Sequence, residues 1–258
     1  MKQADDKNGT VPQAKNRCQL LSAMGFALAV IALALLAAAG FGSRFGWWHF
    51  RTGFTLLKYG AWCGLAAALA SLAAARYAVK GRRTFAILLA LAGLTGGVVA
   101  FALPYHWKLT AQRLPRIHDI TTDTFTPPRF VAVVPLRKDA VNPAEYGGAE
   151  IAVKQRTAYP DLVTAILNLP PAPAFERALD TARGMGWDIV AAVPGEGRIE
   201  ATATTFWFGF KDDIVIRVTP AENRSLVDIR SVSRVGVSDV GTNARRIRAF
   251  LKKLAAQG

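Results

Sequence analysis

The sequence predicts three membrane-spanning α-helices followed by a soluble C-terminal α+β domain, an antiparallel four-stranded meander packed against two helices. Three observations predict this architecture. Long uncharged runs crowd the first 107 residues. Period-two alternation of apolar and polar residues sets in after residue 187. Two segments with helical apolar spacing flank that alternation.

The uncharged runs come first. Cys18 to Ser43 is 26 residues without a charge, and Thr84 to Trp107 is 24. About 20 apolar residues suffice to cross the hydrocarbon core. Tyr59 to Ala75 gives 17 more, bounded by Lys58 and Arg76. Basic side chains at helix ends can lay their stems along the apolar layer and keep their charges at its surface. The assignment is therefore a tail over 1–19 and spans over 20–42, 54–77 and 84–104. A basic start and Ala37-Ala38-Ala39 are also features of a cleaved signal peptide. The apolar part of a signal is about 7–15 residues, shorter than this run, so a retained span is expected.

Charge gives the orientation. Lys and Arg favour cytoplasmic loops. The tail carries Lys2, Lys7, Lys15 and Arg17, and the second connection packs Arg76, Lys80, Arg82 and Arg83 into eight residues. The opposite side has Arg44, Arg51 and Lys58, then Lys108, Arg113 and Arg116. The expectation is a multi-pass protein of the inner (plasma) membrane, with a cytoplasmic N-terminus and a periplasmic or otherwise extracytoplasmic C-terminal domain. Trp47, Trp48, Tyr105 and Trp107 would then form an aromatic belt on the outer face.

The net charge of +14 is uneven. Residues 1–103 hold eleven Lys and Arg against two Asp and Glu, so most of the excess flanks the spans. That distribution suits a membrane protein and gives no support to nucleic-acid binding. No Asp or Glu falls within a span, which argues against an ion-coupled transporter. Gly93 and Gly97 form a small-x-x-x-small pair, suited to packing among the three helices or to dimerisation. Cys18 and Cys63 lie at or within the spans, so the soluble domain has no disulfide framework or thiolate metal site.

In the soluble part, residues 104–172 carry recurrent prolines and are expected to wrap the domain as extended pieces and turns. Phe175, Ala178, Leu179, Ala182 and Met185 predict a helix over 174–185, ended by Gly184 and Gly186. Trp187, Ile189, Ala191 and Val193 should share one face of a first strand. Ile199, Ala201 and Ala203 follow beyond the turn at Pro194-Gly195-Glu196-Gly197. A turn near Lys211-Asp212 leads to Ile214, Ile216 and Val218. A turn over Pro220–Arg224 leads to Val227 and Ile229. A last helix, about 240–256, buries Ala244, Ile247, Leu251 and Leu254.

Several stretches look familiar in combination. Residues 115–130 read PRIHDITTDTFTPPRF, residues 208–217 read FGFKDDIVIR, and residues 230–247 read RSVSRVGVSDVGTNARRI. Together they resemble the domain-of-unknown-function family numbered 1499, whose members often stand behind bacterial membrane helices. The resemblance spans about 114–254, and Gly46 to Phe54 resembles the membrane part of such proteins. It implies no activity, substrate or catalytic residue.

Two clusters are candidate sites. His118, Asp119 and Asp123 are the residue types that bind metal or move protons. No compact ligand spacing accompanies them, and a hydrogen-bonded loop lock is the competing reading. Arg230, Arg234, Ser238, Asp239, Asn243 and Arg246 gather around the start of the last helix. There, free N–H groups and arginines could hold an anion, or Ser238 or Asp239 could simply cap the helix. Glu200, Asp213, Arg217, Asp228 and Arg230 share the polar sheet face as cross-strand ion pairs, solvated, covered by a loop or lining a groove. The run Phe206-Trp207-Phe208-Gly209-Phe210 would fill the core, or touch the bilayer or a partner.

No cofactor or metal is implied. The sequence supports a membrane-tethered binding or scaffolding module of the cell envelope, with the bilayer, another envelope protein or anionic lipid as partners. The alternatives are an envelope enzyme, such as a hydrolase using His118, Asp119 and arginines, and a lipid-binding domain.

Overall fold

A computed structural model describes residues 10–256. The chain divides into two compact units between Leu109 and Thr110.

The first unit is built from α1 (Thr10–Arg44), α2 (Phe50–Lys80) and α3 (Thr84–Arg113). All three are long and apolar enough to cross a membrane. Their contacts are made by small residues, because only these let helix backbones approach closely. Ser71 of α2 sits between Gly25 of α1 and Gly93 of α3, and a Cβ on either glycine would fall 2.4 Å from the Ser71 hydroxyl oxygen. A Cβ on Gly97 would lie 2.6 Å from the Gly64 carbonyl oxygen. Gly93 and Gly97 thus face the other helices of the same chain. Leu20, Met24, Val30, Leu69, Leu72 and Val98 point outward instead.

α3 continues nine residues beyond the expected boundary at 104, through Pro104 to Arg113. Proline removes a single backbone donor, and apolar spans tolerate that loss. At 1.5 Å per residue α3 is about 45 Å long, more than the roughly 30 Å hydrocarbon layer requires.

The second unit is an α+β domain. Its antiparallel sheet comprises β1 (Asp119–Thr121), β2 (Ala165–Leu167), β3 (Asp188–Val193), β4 (Arg198–Thr204), β5 (Lys211–Ala221) and β6 (Arg224–Ser233). The strand order is β1-β6-β5-β4-β3, with β2 also pairing β6. The predicted meander is β3 to β6. The sheet gains two strands over the four expected, because β1 and β2 are three residues each, too short to show alternation. Three helices accompany it: α4 (Gly148–Ala158), α5 (Pro171–Gly184) and α6 (Thr242–Ala256). α4 lies in the segment expected to be irregular; it buries only Ala152 and Gln155 and so has no apolar stripe to read.

The main core lies between one sheet face and α5 and α6. Ile199, Ile214, Ile216 and Ile229 meet Phe175 and Leu179 from α5, and Ile247 and Phe250 from α6. Trp187 stacks on Phe250 with ring centres 5.6 Å apart.

Three local expectations need correction. In β3 a bulge falls between Ile189 and Ala191, so Ala191 pairs with Glu200 and the alternation from Trp187 does not hold to Val193. The β4–β5 turn occupies 205–210 and contains the aromatic run, while Lys211 already pairs with Thr204. Within that run only Phe208 is buried, and Phe206 is 78% exposed. α6 starts two residues later than expected, because Val240 and Gly241 adopt positive φ angles of 50° and 73°.

Gly97→Ala should force α2 and α3 apart and cost about 1–3 kcal/mol, the usual range for overpacking. A thermal melt of the detergent-solubilised chain should show a lower Tm for this variant, while Ala102→Leu on the exposed side of α3 leaves it unchanged.

Candidate functional site

Strand alternation places Glu200 and Thr202 of β4, Asp213 and Arg217 of β5, and Asp228 and Arg230 of β6 on the face opposite the main core. The register sets Thr202 beside Asp213, and Arg217 beside Asp228. Most of this face is covered rather than solvated. Residues 122–147, here the strap, run across it, and Glu200 and Asp213 are 0% exposed.

Each buried charge is matched. The Glu200 carboxylate accepts from the backbone N–H of Val131, Ala132 and Val133 at 2.9–3.0 Å, and from Arg198. Asp213 accepts from Arg137, from Arg234 at 2.8 and 2.9 Å, and from the Thr202 hydroxyl at 2.8 Å. Arg230 donates to both oxygens of Asp119 at 2.9 and 2.7 Å and to the carbonyls of Pro128 and Ala144. Its guanidinium lies over the rings of Phe130 and Tyr146. Desolvation, followed by the Asp119 charge, pushes the Tyr146 phenol up to about 12. Arg217 donates to Asp228 at 2.7 Å and to Asp123 at 2.9 Å. Burial alone would raise the Asp123 pKa. Hydrogen bonds from Thr126, Phe125 and Arg217 outweigh it and hold the carboxyl at about 2.

A second polar seam runs on the helix side of the sheet. Arg246 donates to Asp212 at 2.6 Å and to Asn243, and Asn243 accepts from Ser231 at 2.7 Å. The Asn243 amide donates to the His118 carbonyl at 3.0 Å. Asp239 caps α6, accepting from Gly241 at 3.1 Å and Asn243 at 2.5 Å. Desolvation raises its pKa against the pull of those bonds. The Ser238 hydroxyl donates to the Pro115 carbonyl and accepts from Val240.

The structure therefore does not gather the predicted sites. Arg230 and Arg234 lie on the strap side of the sheet, whereas Asn243 and Arg246 lie on the helix side and Ser238 and Asp239 at the start of α6. Asp119 and Asp123 go to different arginines. The His118 side chain makes no hydrogen bond or ion pair among the described residues. No group of three His, Cys, Asp or Glu among the described residues could hold a metal.

Two open surface grooves lie elsewhere on the domain. One, of about 460 Å³, runs beside the strap between Phe125, Arg129, Val131, Arg198, Val215 and Arg217, with Glu196 at its rim. The other, of about 410 Å³, lies between the start of α5 and the β3–β4 turn. Sequence reasoning missed Arg129, Arg198 and Val131 because nothing in their spacing signals a shared groove. Gln155 was missed as well: its amide accepts from the Thr121 N–H at 2.9 Å and donates to the Thr121 carbonyl at 2.6 Å, acting as a substitute strand.

Residues 119–254 match the family described as a protein of unknown function (DUF1499), which is more than half of the chain. The chain belongs to this family. The DUF1499 match begins with β1 and ends within α6, so the family's sequence pattern covers the strap and both polar seams. No curated protein matches the chain.

Arg230→Ala leaves the DUF1499 domain with an unpaired buried Asp119 and should cost about 3–5 kcal/mol. Urea unfolding followed by Trp187 fluorescence should show that loss, and Arg230→Met combined with Asp119→Leu should recover part of it. Asp123 gives a separate pH signature. Its folded pKa is depressed, so its stabilisation is complete above the unfolded value of 3.8 and is lost as pH falls towards about 2. Asp123→Asn should flatten the stability profile between those limits.

Proposed function

We propose that this chain is a membrane-tethered binding module of the cell envelope. α1 to α3 anchor it in the inner membrane. The cluster Arg76, Lys80, Arg82 and Arg83 supports a cytoplasmic N-terminus and a periplasmic DUF1499 domain.

The observation that carries the binding role is the groove beside the strap. Three arginines and one glutamate line it, and Phe125, Val131 and Val215 supply apolar wall. Arg198 and Arg217 are held by acidic partners, while Arg129 is exposed and pairs with no acid among the described residues. The strap forming one wall is fixed by the buried Arg137–Asp213 pair and by backbone bonds to Glu200, which favours a preformed groove and lowers the ordering cost of binding. The fitting ligand carries an anionic group on an apolar framework. A hydrolase built on His118, Asp119 and arginines draws less support, because the carboxylates of Asp119 and neighbouring Asp123 are each committed to an arginine and the imidazole is coupled to neither.

2-Naphthoate is a suitable probe. Saturation-transfer NMR on the full chain in nanodiscs should show its binding, with a several-fold weaker signal for Arg129→Glu and little for neutral 2-naphthalenemethanol. An equal signal from both chains, or none from wild type, would remove the groove as the binding site.

A further inference from the structure

Phe125 stands in a segment with little freedom to move. The Asp123 carboxylate accepts from the backbone N–H of Phe125 at 2.9 Å and of Thr126 at 3.0 Å, and from the Thr126 hydroxyl at 2.5 Å. Arg217 ties the same turn to β5, donating to Asp123 at 2.9 Å and to the Thr126 carbonyl at 2.8 Å. On one side Thr122 is anchored to β6, its N–H donating to the Ile229 carbonyl at 3.0 Å. On the other, Pro127 and Pro128 fix their own φ angles and restrict the residue before each.

The fold makes little use of the ring held there. Phe125 is 86% exposed, the highest value for a large apolar side chain among the described residues. The Arg156 guanidinium lies 5.4 Å from the ring centre and donates to the Thr124 hydroxyl at 2.9 Å. It engages one face of the ring, and Arg156 does not line the groove that Phe125 lines. A fixed backbone presenting an aromatic ring leaves only two side-chain torsions to order on binding. Aromatic rings favour other flat rings, offset or edge to face, beyond what buried area alone supplies. Arg129 follows in the same groove wall, no more than about 14 Å of extended chain further on. A ring on Phe125 and an anion at Arg129 therefore fit a single ligand.

We propose that Phe125 determines the specificity of the strap groove, and that the ligand carries a planar, conjugated ring system. That ring stacks on the open face of Phe125, beside the anionic group that Arg129 holds. This rests on the groove being the binding site, and it narrows the ligand class from apolar anions in general to aromatic ones.

The test pairs 2-naphthoate with decahydro-2-naphthoate, which has the same carbon skeleton and carboxylate but no flat π face. The saturated probe is the more hydrophobic of the two, so burial alone favours it. Affinities are measured by equilibrium dialysis of the full chain in phosphatidylcholine nanodiscs, with binding to empty nanodiscs subtracted. Wild type should bind 2-naphthoate about threefold or more tightly than the saturated probe. Phe125→Leu keeps an apolar side chain where little is buried, and should remove that preference. The wild-type comparison decides by itself if the variant does not fold. Equal or tighter binding of the saturated probe to wild type would overturn the stacking and leave the groove standing. A preference that survives in Phe125→Leu would do the same. Absence of binding by either probe would remove the groove and the stacking with it.

Discussion

A sheet face carrying Glu200, Asp213, Asp228 and Arg230 can leave water only if every charge finds a partner, since an isolated buried charge costs several kcal/mol or more. The strap meets that demand. It brings Arg137 to Asp213, its own backbone N–H groups to Glu200, and carbonyls to Arg230. The small cluster of Phe130, Val133, Val215 and Val232 fills the space between these contacts. A strap without regular secondary structure over most of its length is thus tied to the sheet at several buried points. The polar face acts as a second interior, with hydrogen bonds taking the place of apolar contacts.

This arrangement decides what the acidic residues are available for. A carboxylate that serves as base or nucleophile has to present a lone pair to a substrate. Here the lone pairs of Asp119, Asp213 and Asp228 face guanidinium or hydroxyl donors. Chemistry is left to the rim of the strap, where Arg129 and Phe125 are exposed. In this fold the residues that look most reactive in the sequence are spent on architecture.

How far the fold was legible follows from the same distinction. The long uncharged runs and the alternation in β4, β5 and β6 were readable because each repeats a simple period over many residues. β1, β2 and α4 were not, being short or lacking an apolar stripe. The bulge at β3 is invisible because Val190 is as apolar as its neighbours, and its effect on facing appears only in the pairing. Asp119 was singled out as a catalytic candidate and Arg230 as a ligand-binding one, and the structure joins them as a bidentate pair across 111 residues of sequence. Asp239 was readable as a cap, since an acidic residue followed by Gly241 and Asn243 is a local pattern. The groove at Arg129 depends on where the strap crosses the sheet, which no local period encodes.

The substitute strand made by Gln155 has a further effect. Proteins fixed in a membrane meet one another at high local concentration, and an open sheet margin invites neighbours to zip together. On the β1 margin the Gln155 amide already occupies the N–H and carbonyl of Thr121. On the opposite margin the irregular step in β3 spoils the spacing an incoming strand would need. The Gln155 amide on β1 and the bulge in β3 thus both work against edge-to-edge pairing with a neighbouring chain.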